Sequence, residues 1–529
     1  MQLKVSTTEG DVIAVAIHPG DTLAQAVYLS GAFAPRPLCS GLGKCGLCRM
    51  RFLSAPPPAT PEDEAILGTE AVSQGWRLGC RHKAAPGAEV LVPSVANQIP
   101  GKSKTGASTN SPESLLLAVD LGTTSLVWSA LDPTAATKGA GRIVAQGREL
   151  NPQIGAGSDV LSRLAATMTP GGGKRLQEVT LEALRRIVTG LPAPVSRICL
   201  AANTAMTALT RGASVLGLAA APYALEFHGH CEESLPGLPT VYFPPQAAPF
   251  IGGDIGAGMA ALLAQKPEFP FLLADMGTNG EFVLALSPKQ SLAVSVPLGP
   301  ALEGIGLSCG ALAGVGGEER VITGFNLTPA GLQPFCEDEM TAEPHYNGIS
   351  GTGYLSLIHI LRNLNLVRED GRFNAAAPLP LARKLARHLH ARAGQTELEL
   401  PGRLRLTGTD VEEILKVKAA FSLAVHSLLT AADLSPTHLR ACCLAGALGR
   451  HVRADDLFAL GFLPAALKTN KVKAVGDTAL AGAELMLTDT RSRDLAAQWA
   501  AGVKVLNLTA DNTFMRLYLN HMRFCFPPV

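Results

Sequence analysis

The run Leu115-Leu116-Leu117-Ala118-Val119-Asp120-Leu121-Gly122-Thr123-Thr124-Ser125 decides how this chain is read. An apolar stretch of strand length enters Asp-x-Gly-Thr, and apolar residues resume beyond it. The glycine in such a turn lets backbone amides and threonine hydroxyls approach phosphate oxygens. The aspartate offers a carboxylate to Mg²⁺ or to a bound water. One copy occurs readily by chance. Here the apolar Phe271–Ala274 leads into Asp275-Met276-Gly277-Thr278-Asn279-Gly280, the same arrangement 155 residues on. A repeated strand–Asp-x-Gly-Thr–strand unit implies two similar lobes, starting near 115 and 271. A third element, Cys442-Cys443-Leu444-Ala445-Gly446-Ala447-Leu448-Gly449-Arg450, reads as a buried strand entering small residues that leave room for an adenosine. Between these motifs strands alternate with Ala/Leu-rich helices, the texture of an α/β domain.

Upstream, residues 1–95 read as a separate small unit. Leu3–Ser6 and Val12–Ile17 form a hairpin about Glu9-Gly10-Asp11, and Asp21 is the expected N-cap of a helix running to Ser30. A glycine-rich loop, a strand over Cys48–Leu53, a helix near Pro61–Ser73 and a strand over Glu89–Pro93 complete a β-grasp pattern. The loop carries Cys39-x5-Cys45-x2-Cys48, and Cys80 follows after a further 31 residues. Four thiolates can hold [2Fe-2S], [4Fe-4S] or structural zinc. Zinc ribbons pair two Cys-x2-Cys knuckles, and only one is present. Gly41, Gly43 and Gly46 let the backbone wrap closely around a cluster. Arg36, Lys44, Arg49, Arg51, Arg77, Arg81 and Lys83 surround these cysteines without a nearby acid in segments 33–54 and 74–84. They read either as a solvated surface or as a rim for an acidic redox partner. Residues 96–113, rich in Gly, Ser, Thr and Lys, are expected to be a flexible linker.

At 529 residues and 47% apolar content the chain can build several cores. With 45 Lys and Arg against 44 Asp and Glu, its charge gives no reason to expect nucleic acid or an anionic membrane as partner. The start has no leader-like apolar core, and Phe269–Leu286, the longest apolar candidate, is interrupted by Asp275, Asn279 and Glu281, so no spanning helix is expected. Eleven cysteines are too sparse for a secreted disulfide framework, which implies a reducing, cytoplasmic setting. Cys199, Cys309, Cys442 and Cys443 read as core thiols. His388 and His390 read as a solvated helix face. Asp254, within Gly252-Gly253-Asp254-Ile255-Gly256-Ala257-Gly258, either orients an attacking water or holds a turn.

The cysteine spacing resembles plant-type and adrenodoxin-type ferredoxins, which implies a [2Fe-2S] cluster on Cys39, Cys45, Cys48 and Cys80. The paired turns and the small-residue strand resemble the phosphate-1, phosphate-2 and adenosine motifs of the actin/Hsp70/sugar-kinase superfamily. Together with Asn203-Thr204-Ala205-Met206-Thr207, Gly299-Pro300-Ala301-Leu302-Glu303-Gly304 and Leu406-Thr407-Gly408-Thr409-Asp410-Val411, the whole resembles the reductive activators of corrinoid proteins. Those are ferredoxin–ATPase fusions that return cobalt(II) corrinoid to cobalt(I). The resemblance implies an α/β multidomain chain: a β-grasp ferredoxin-like domain (1–95), the linker (96–113), and a two-lobed, duplicated ribonuclease H-like ATPase (114–529). Such activators often carry an extra middle domain between ferredoxin and ATPase, and that segment is short here. It implies ATP and Mg²⁺ between the lobes, with Asp120 and Asp275 near the metal and Asp254 as a further catalytic candidate. Gly122, Thr123, Thr124, Gly277, Thr278 and Asn279 would cradle phosphates, and Gly446, Ala447 and Gly449 would line the adenosine. The implied partners are a corrinoid protein or corrinoid-dependent methyltransferase, a low-potential donor such as a ferredoxin or flavodoxin, and a second copy of the chain. Alternatives are an activator of another low-potential or radical enzyme, a nucleotide-sensing electron-transfer scaffold, and a ferredoxin-fused sugar kinase.

Overall fold

The computed structural model describes the chain except residues 37, 94–111, 138–139, 312–319, 337–345, 378, 393, 450–451, 511 and 529. The expected linker therefore falls almost wholly outside the described residues, as does Arg450. The chain divides into two compact units, Met1–Ala257 with Leu480–Arg493, and Gly258–Ala479 with Asp494–Val529.

The first unit begins with a five-stranded mixed sheet. Gln2–Thr7 pairs antiparallel with Val12–Ala16 and parallel with Glu89–Val92; Arg49–Phe52 joins the latter, and Trp76–Leu78 forms the far edge. Alternation places Leu3 and Val5 inward, where they meet Val27, Met50 and Val90 in one core. The helix Leu23–Tyr28 crosses that face. Its N-cap is Thr22, in a capping box with Gln25, and not Asp21 as the sequence suggested. The β-hydroxyl of Thr22 reaches the amide three residues on, which leaves the Asp21 carboxylate to another partner. That partner is Arg175, which grips both oxygens at 2.8 and 3.0 Å and also donates to the carbonyls of Gln25, Ala26 and Leu29 at the end of the helix. Arg175 and Asp21 are only 13% and 12% exposed.

Arg175 belongs to the second part of this unit, a six-stranded sheet ordered Cys231–Glu233, Thr240–Phe243, Val195–Ala202, Leu115–Leu121, Ser125–Thr137, Ala140–Leu150. Leu115–Leu121 lies centrally, parallel to Val195–Ala202 and antiparallel to Ser125–Thr137. Such a strand is buried on both faces, which accounts for its near-continuous apolar run.

The second unit repeats this plan. Its sheet runs Val472–Gly476, Ala441–Ala445, Phe271–Met276, Asn279–Ser287, Gln290–Pro297, Val503–Val505, and Phe271–Met276 is parallel to Ala441–Ala445 and antiparallel to Asn279–Ser287. The duplication inferred from two short turns therefore extends to the order and direction of the strands around them. Packed on this sheet is Gly408–Ala431, long and apolar enough by length and composition to cross a membrane, yet 72% of its most apolar window is buried in the fold. Cys442 and Cys443 are core thiols, as is Cys199 in the first unit, while Cys309 is partly buried against the core. His388 and His390 are exposed, but His388 lies in the turn after the short helix Pro380–Ala386 and His390 on the strand Leu389–Arg392. The second half of the basic stretch pairs antiparallel with Gln395–Glu399 and so leaves the helix for a strand.

The Arg175 clamp leads to a stability expectation. Arg175→Ala leaves Asp21 poorly paired and the helix-end carbonyls without donors, at a cost of about 2–3 kcal/mol to docking within the first unit. Hydrogen exchange of residues 21–30 is expected to accelerate, with that of Phe271–Met276 unchanged.

Candidate functional site

In the first unit the Asp120–Thr124 turn is held from three sides. The Gly122 amide donates to the Ser125 carbonyl at 2.9 Å, closing the turn. Asn151 donates from its side chain to the Gly122 carbonyl at 2.7 Å and from its backbone to the Thr124 carbonyl at 2.8 Å. The Asn203 amide donates to the Thr123 hydroxyl at 3.1 Å, and its oxygen caps the helix Thr204–Arg211. Arg163, fully buried, donates to the Thr123 carbonyl. The turn's carbonyls are thereby occupied by protein donors. The guanidinium also places positive charge behind the turn, a setting that favours an anion.

Asn203 follows the strand that pairs with the Asp120 strand, so Ala202 stands opposite Leu121 and the two strand ends meet. Gly252 lies against the backbone of Asn203 and Thr204. Just beyond it, Asp254 opens the helix Gly253–Ala264, its Oδ1 accepting from the Ile255 amide at 2.8 Å. Burial pushes this carboxyl up to about 6, against the pull of that amide. The structure thus gathers Asp254, Asn203 and the first turn into one neighbourhood of the first unit.

In the second unit, the Gly277 amide donates to the Asn279 carbonyl at 3.1 Å, and the buried Thr278 donates its hydroxyl to Glu303 Oε1 at 3.2 Å. The strand Ala441–Ala445 pairs with Phe271–Met276 so that Ala445 stands opposite Asp275. Gly446 follows with φ +82°, and a Cβ there would lie 2.7 Å from Asp275 Oδ1 and 2.8 Å from the Met276 carbonyl. Only glycine fits that approach. The segment Gly446–Gly449 is a single helical turn, in which Gly449 lies over the Leu444 carbonyl. The second Asp-x-Gly-Thr turn and the small-residue motif, 171 residues apart at Asp275 and Gly446, are therefore in contact.

The cysteine loop carries its own donors. Cys39 and Cys48 are buried, Cys45 and Cys80 partly so. Backbone amides of Leu42, Lys44 and Cys45 point at the Cys39 sulfur, that of Leu47 at Cys45, and that of Gly43 at Cys80. Cys39 is held down to about 5 by a hydrogen bond from Cys45, whose thiol is pushed up by giving it; Cys80 is held low by Cys48 in the same manner. The thiols meet in these two pairs, and among the described residues no three His, Cys, Asp or Glu side chains are arranged around a common metal position. Soft sulfur donors wrapped by amide N–H groups nevertheless fit a thiolate-ligated group in kind.

Cys80 is located by a residue the sequence reading passed over. Asp63, fully buried, accepts from the Leu78 amide and from His82 Nε2, each at 2.7 Å, and so fixes the chain on both sides of Cys80. Its place three residues after Thr60 was the available signal, a capping-box spacing. The basic rim is smaller than its composition suggested. Arg77 is buried on the carbonyls of Pro57, Val72 and Trp76, Arg36 reaches those of Leu47 and Pro93, and Arg81 pairs with Glu62 at 2.6 Å. Lys83 donates to the Gly20 carbonyl, and Lys44, Arg49 and Arg51 are exposed.

Comparison with known proteins bears on this arrangement. The sequence model of the C-terminal, ASKHA domain of RACo matches residues 270–526, and that of the RACo middle region matches residues 115–266. What the duplicated turns group as one ATPase is thus divided by the family into a middle region and an ASKHA domain. The middle region is not missing, as the short upstream segment suggested, but falls on 115–266. A corrinoid activation enzyme, RamQ, of Eubacterium limosum is 27% identical over 442 residues, covering 77% of this chain and 70% of that protein. A reductase of the Co(II) methylated amine-specific corrinoid protein of Methanosarcina barkeri is 26% identical over 297 residues, covering 52% of this chain and 51% of that one. Among solved structures, a reductive activator for corrinoid, iron-sulfur protein superposes with a TM-score of 0.67 at 19% identity, over 98% of both chains. With RACo sequence models matching 115–266 and 270–526 in succession, and one fold shared from end to end, the chain belongs to the family of reductive activators of corrinoid proteins.

Proposed function

We propose that this chain is an ATP-dependent reductive activator that returns a corrinoid protein from cobalt(II) to cobalt(I), taking its electron through a [2Fe-2S] cluster. The observation that carries the reading is the union, in one chain of this family, of an amide-wrapped four-cysteine loop and two phosphate turns at equivalent places in two sheets. The relatives named as corrinoid activation enzyme and Co(II) corrinoid protein reductase support the substrate.

Cys39, Cys45, Cys48 and Cys80 would hold the cluster, and Asp120 and Asp275 would face Mg²⁺. When bound, the cluster supplies one-electron exchange and Mg²⁺ neutralises developing phosphate charge. The chain's own contribution is positioning. Gly122–Thr124 and Gly277–Asn279 would cradle the phosphates, with the Gly122 and Gly277 amides closing their own turns and the Gly122, Thr123 and Thr124 carbonyls already engaged by Asn151 and Arg163. Gly446 keeps the Asp275 carboxylate accessible on one side, where any side chain would press on it; by the resemblance, Gly446, Ala447 and Gly449 would line the adenosine. Asp254, titrating near 6, is ionised at neutral pH and able to accept a proton from an attacking water. Lys44, Arg49 and Arg51 form the exposed positive surface next to the cysteine loop, suited to an acidic partner, either the corrinoid protein or a ferredoxin- or flavodoxin-like donor. A cytoplasmic location follows from the need to keep the four thiols reduced before cluster assembly.

Three outcomes test this reading. Anaerobically purified protein is expected to carry about two irons and two sulfides per chain, as a [2Fe-2S] centre requires. Cys45→Ser should lose them while the second unit keeps its thermal transition; stoichiometric zinc would refute the assignment. Asp275→Ala is expected to lower ATP hydrolysis by roughly 10²-fold or more, the scale seen when a positioned electrostatic group is removed. The same variant should fail to bleach the cobalt(II) spin signal of a corrinoid protein that wild-type bleaches with ATP. Hydrolysis by wild-type should fall as pH drops through about 6, where Asp254 takes up a proton. In Asp254→Asn that acid limb should vanish along with most of the rate.

A further inference from the structure

The cysteine loop and the Asp120–Thr124 turn are joined by a short line of buried and half-buried side chains. Ser40, next to Cys39 and in the left-handed region at φ +50°, donates its hydroxyl to Asp159 Oδ2 at 2.7 Å and accepts from the Ser158 amide at 2.8 Å. Asp159 caps the helix Val160–Thr167 through the Ser162 amide at 2.9 Å. One turn along that helix stands Arg163. It donates to the Gly157 carbonyl at 3.0 Å, immediately before Ser158, and to the carbonyl of Thr123 within the turn. Two residues, Ser40 and Arg163, thus hold opposite ends of one helical turn, and each grips a different functional loop.

A second contact follows the same direction. Asn151, which holds the Gly122 and Thr124 carbonyls, opens the turn Pro152–Gly155. Gly155 lies so close to the helix Leu23–Tyr28 that a Cβ would sit 3.0 Å from the Tyr28 backbone. Buried, close-packed elements of this kind shift together and have no slack to absorb a displacement locally.

We propose that Ser40, Asp159 and Arg163 form a relay by which occupancy of the Asp120–Thr124 turn is felt at the cysteine loop. The proposal rests on the reading that this turn receives nucleotide phosphate. Phosphate drawn to the turn's amides rotates the peptide planes whose carbonyl Arg163 holds. Arg163 carries that movement to Gly157 and the start of its helix, and Asp159 and Ser158 pass it to Ser40. The loop beyond Ser40 supplies the Leu42, Lys44 and Cys45 amides that point at the Cys39 sulfur. Hydrogen bonds to the sulfurs help to set the potential of a thiolate-held cluster. A change in their geometry therefore changes how readily the electron leaves. These three are positioning residues, since none touches the nucleotide or the reacting atoms.

The test uses the full chain with its cluster loaded. Nucleotide affinity is measured first, with a non-hydrolysable ATP analogue, in wild-type, Ser40→Ala and Asp159→Asn. Asp159→Asn keeps both a helix cap and an acceptor for the Ser40 hydroxyl. Hydrogen exchange of the 40–47 amides and the spin-resonance spectrum of the reduced cluster are then compared with and without the analogue. In wild-type the analogue should slow exchange about fivefold or more, the lower range of coupling between linked sites, and shift the spectrum. Ser40→Ala should bind the analogue and hold iron as wild-type does, yet lose both responses; Asp159→Asn should retain them. A full response in Ser40→Ala, or wild-type binding without any response at the cysteine loop, would overturn the relay alone. Absence of nucleotide binding by wild-type would overturn the nucleotide reading and the relay with it.

Discussion

Each six-stranded sheet depends on one constraint: two neighbouring strands run parallel and end at the same level. Leu121 stands opposite Ala202 in the first unit, and Asp275 opposite Ala445 in the second. Parallel strands cannot be joined by a tight hairpin, so each pair needs a long helical crossover. Their ends then open onto one edge of the sheet, where the chain leaves both strands in short turns. Backbone amides at such strand ends have no partner within the sheet, which makes this edge the natural place to receive phosphate. Thr123 and Asn203 meet there in one unit, as do Asp275 and Gly446 in the other, although each pair is far apart in sequence.

Docking of the ferredoxin-like portion follows from the same geometry. The crossover that returns from the first sheet's meander to Val195–Ala202 contains the helices bearing Asp159, Arg163 and Arg175. Those helices lie between the Asp120–Thr124 turn and the cysteine-bearing fold because the parallel crossover has to pass there. A buried arginine at each end supplies the polar contacts: Arg175 to the helix of the small domain, Arg163 to the turn. Both use the five-donor fork of the guanidinium to satisfy several carbonyls or carboxylate oxygens at once, which a lysine could not do. The small cysteine-bearing fold is held against the crossover helices and is more than a body on a tether.

Charge shows how far composition can mislead. Seven basic residues around the cysteines read either as a solvated surface or as a docking rim, and of these Arg36 and Arg77 spend their donors on backbone carbonyls and Arg81 on Glu62. Loops that wrap a metal group leave many carbonyls without sheet or helix partners. Long cationic side chains are the groups able to reach back and satisfy them. Lys44, Arg49 and Arg51 are left exposed.

Much of the design was legible in the sequence because it is local. Strand, turn and strand at 115–125 and again at 271–287, the β-grasp order, and the cysteine spacing each declare themselves within about a dozen residues. So did the helix Pro61–Ser73, whose capping signals are adjacent in the chain. Where two local rules competed, the sequence chose wrongly. Asp21 and Thr22 are both good caps, and only the presence of Arg175, 154 residues away, decided that Asp21 should face a guanidinium. The basic stretch at 383–392 likewise had helical composition, but pairing with Gln395–Glu399 made its second half a strand. Contacts across long separations were beyond any spacing rule: Gly446 on Asp275, Asn203 on Thr123, Asp63 on both flanks of Cys80, Ser40 on Asp159. The sequence alone determined which chemical groups exist and which short turns present them, since those follow from backbone sterics and apolar periodicity. Only the tertiary structure decided which groups meet, because the parallel crossovers that bring them together depend on the packing of whole sheets and not on any single residue's neighbours.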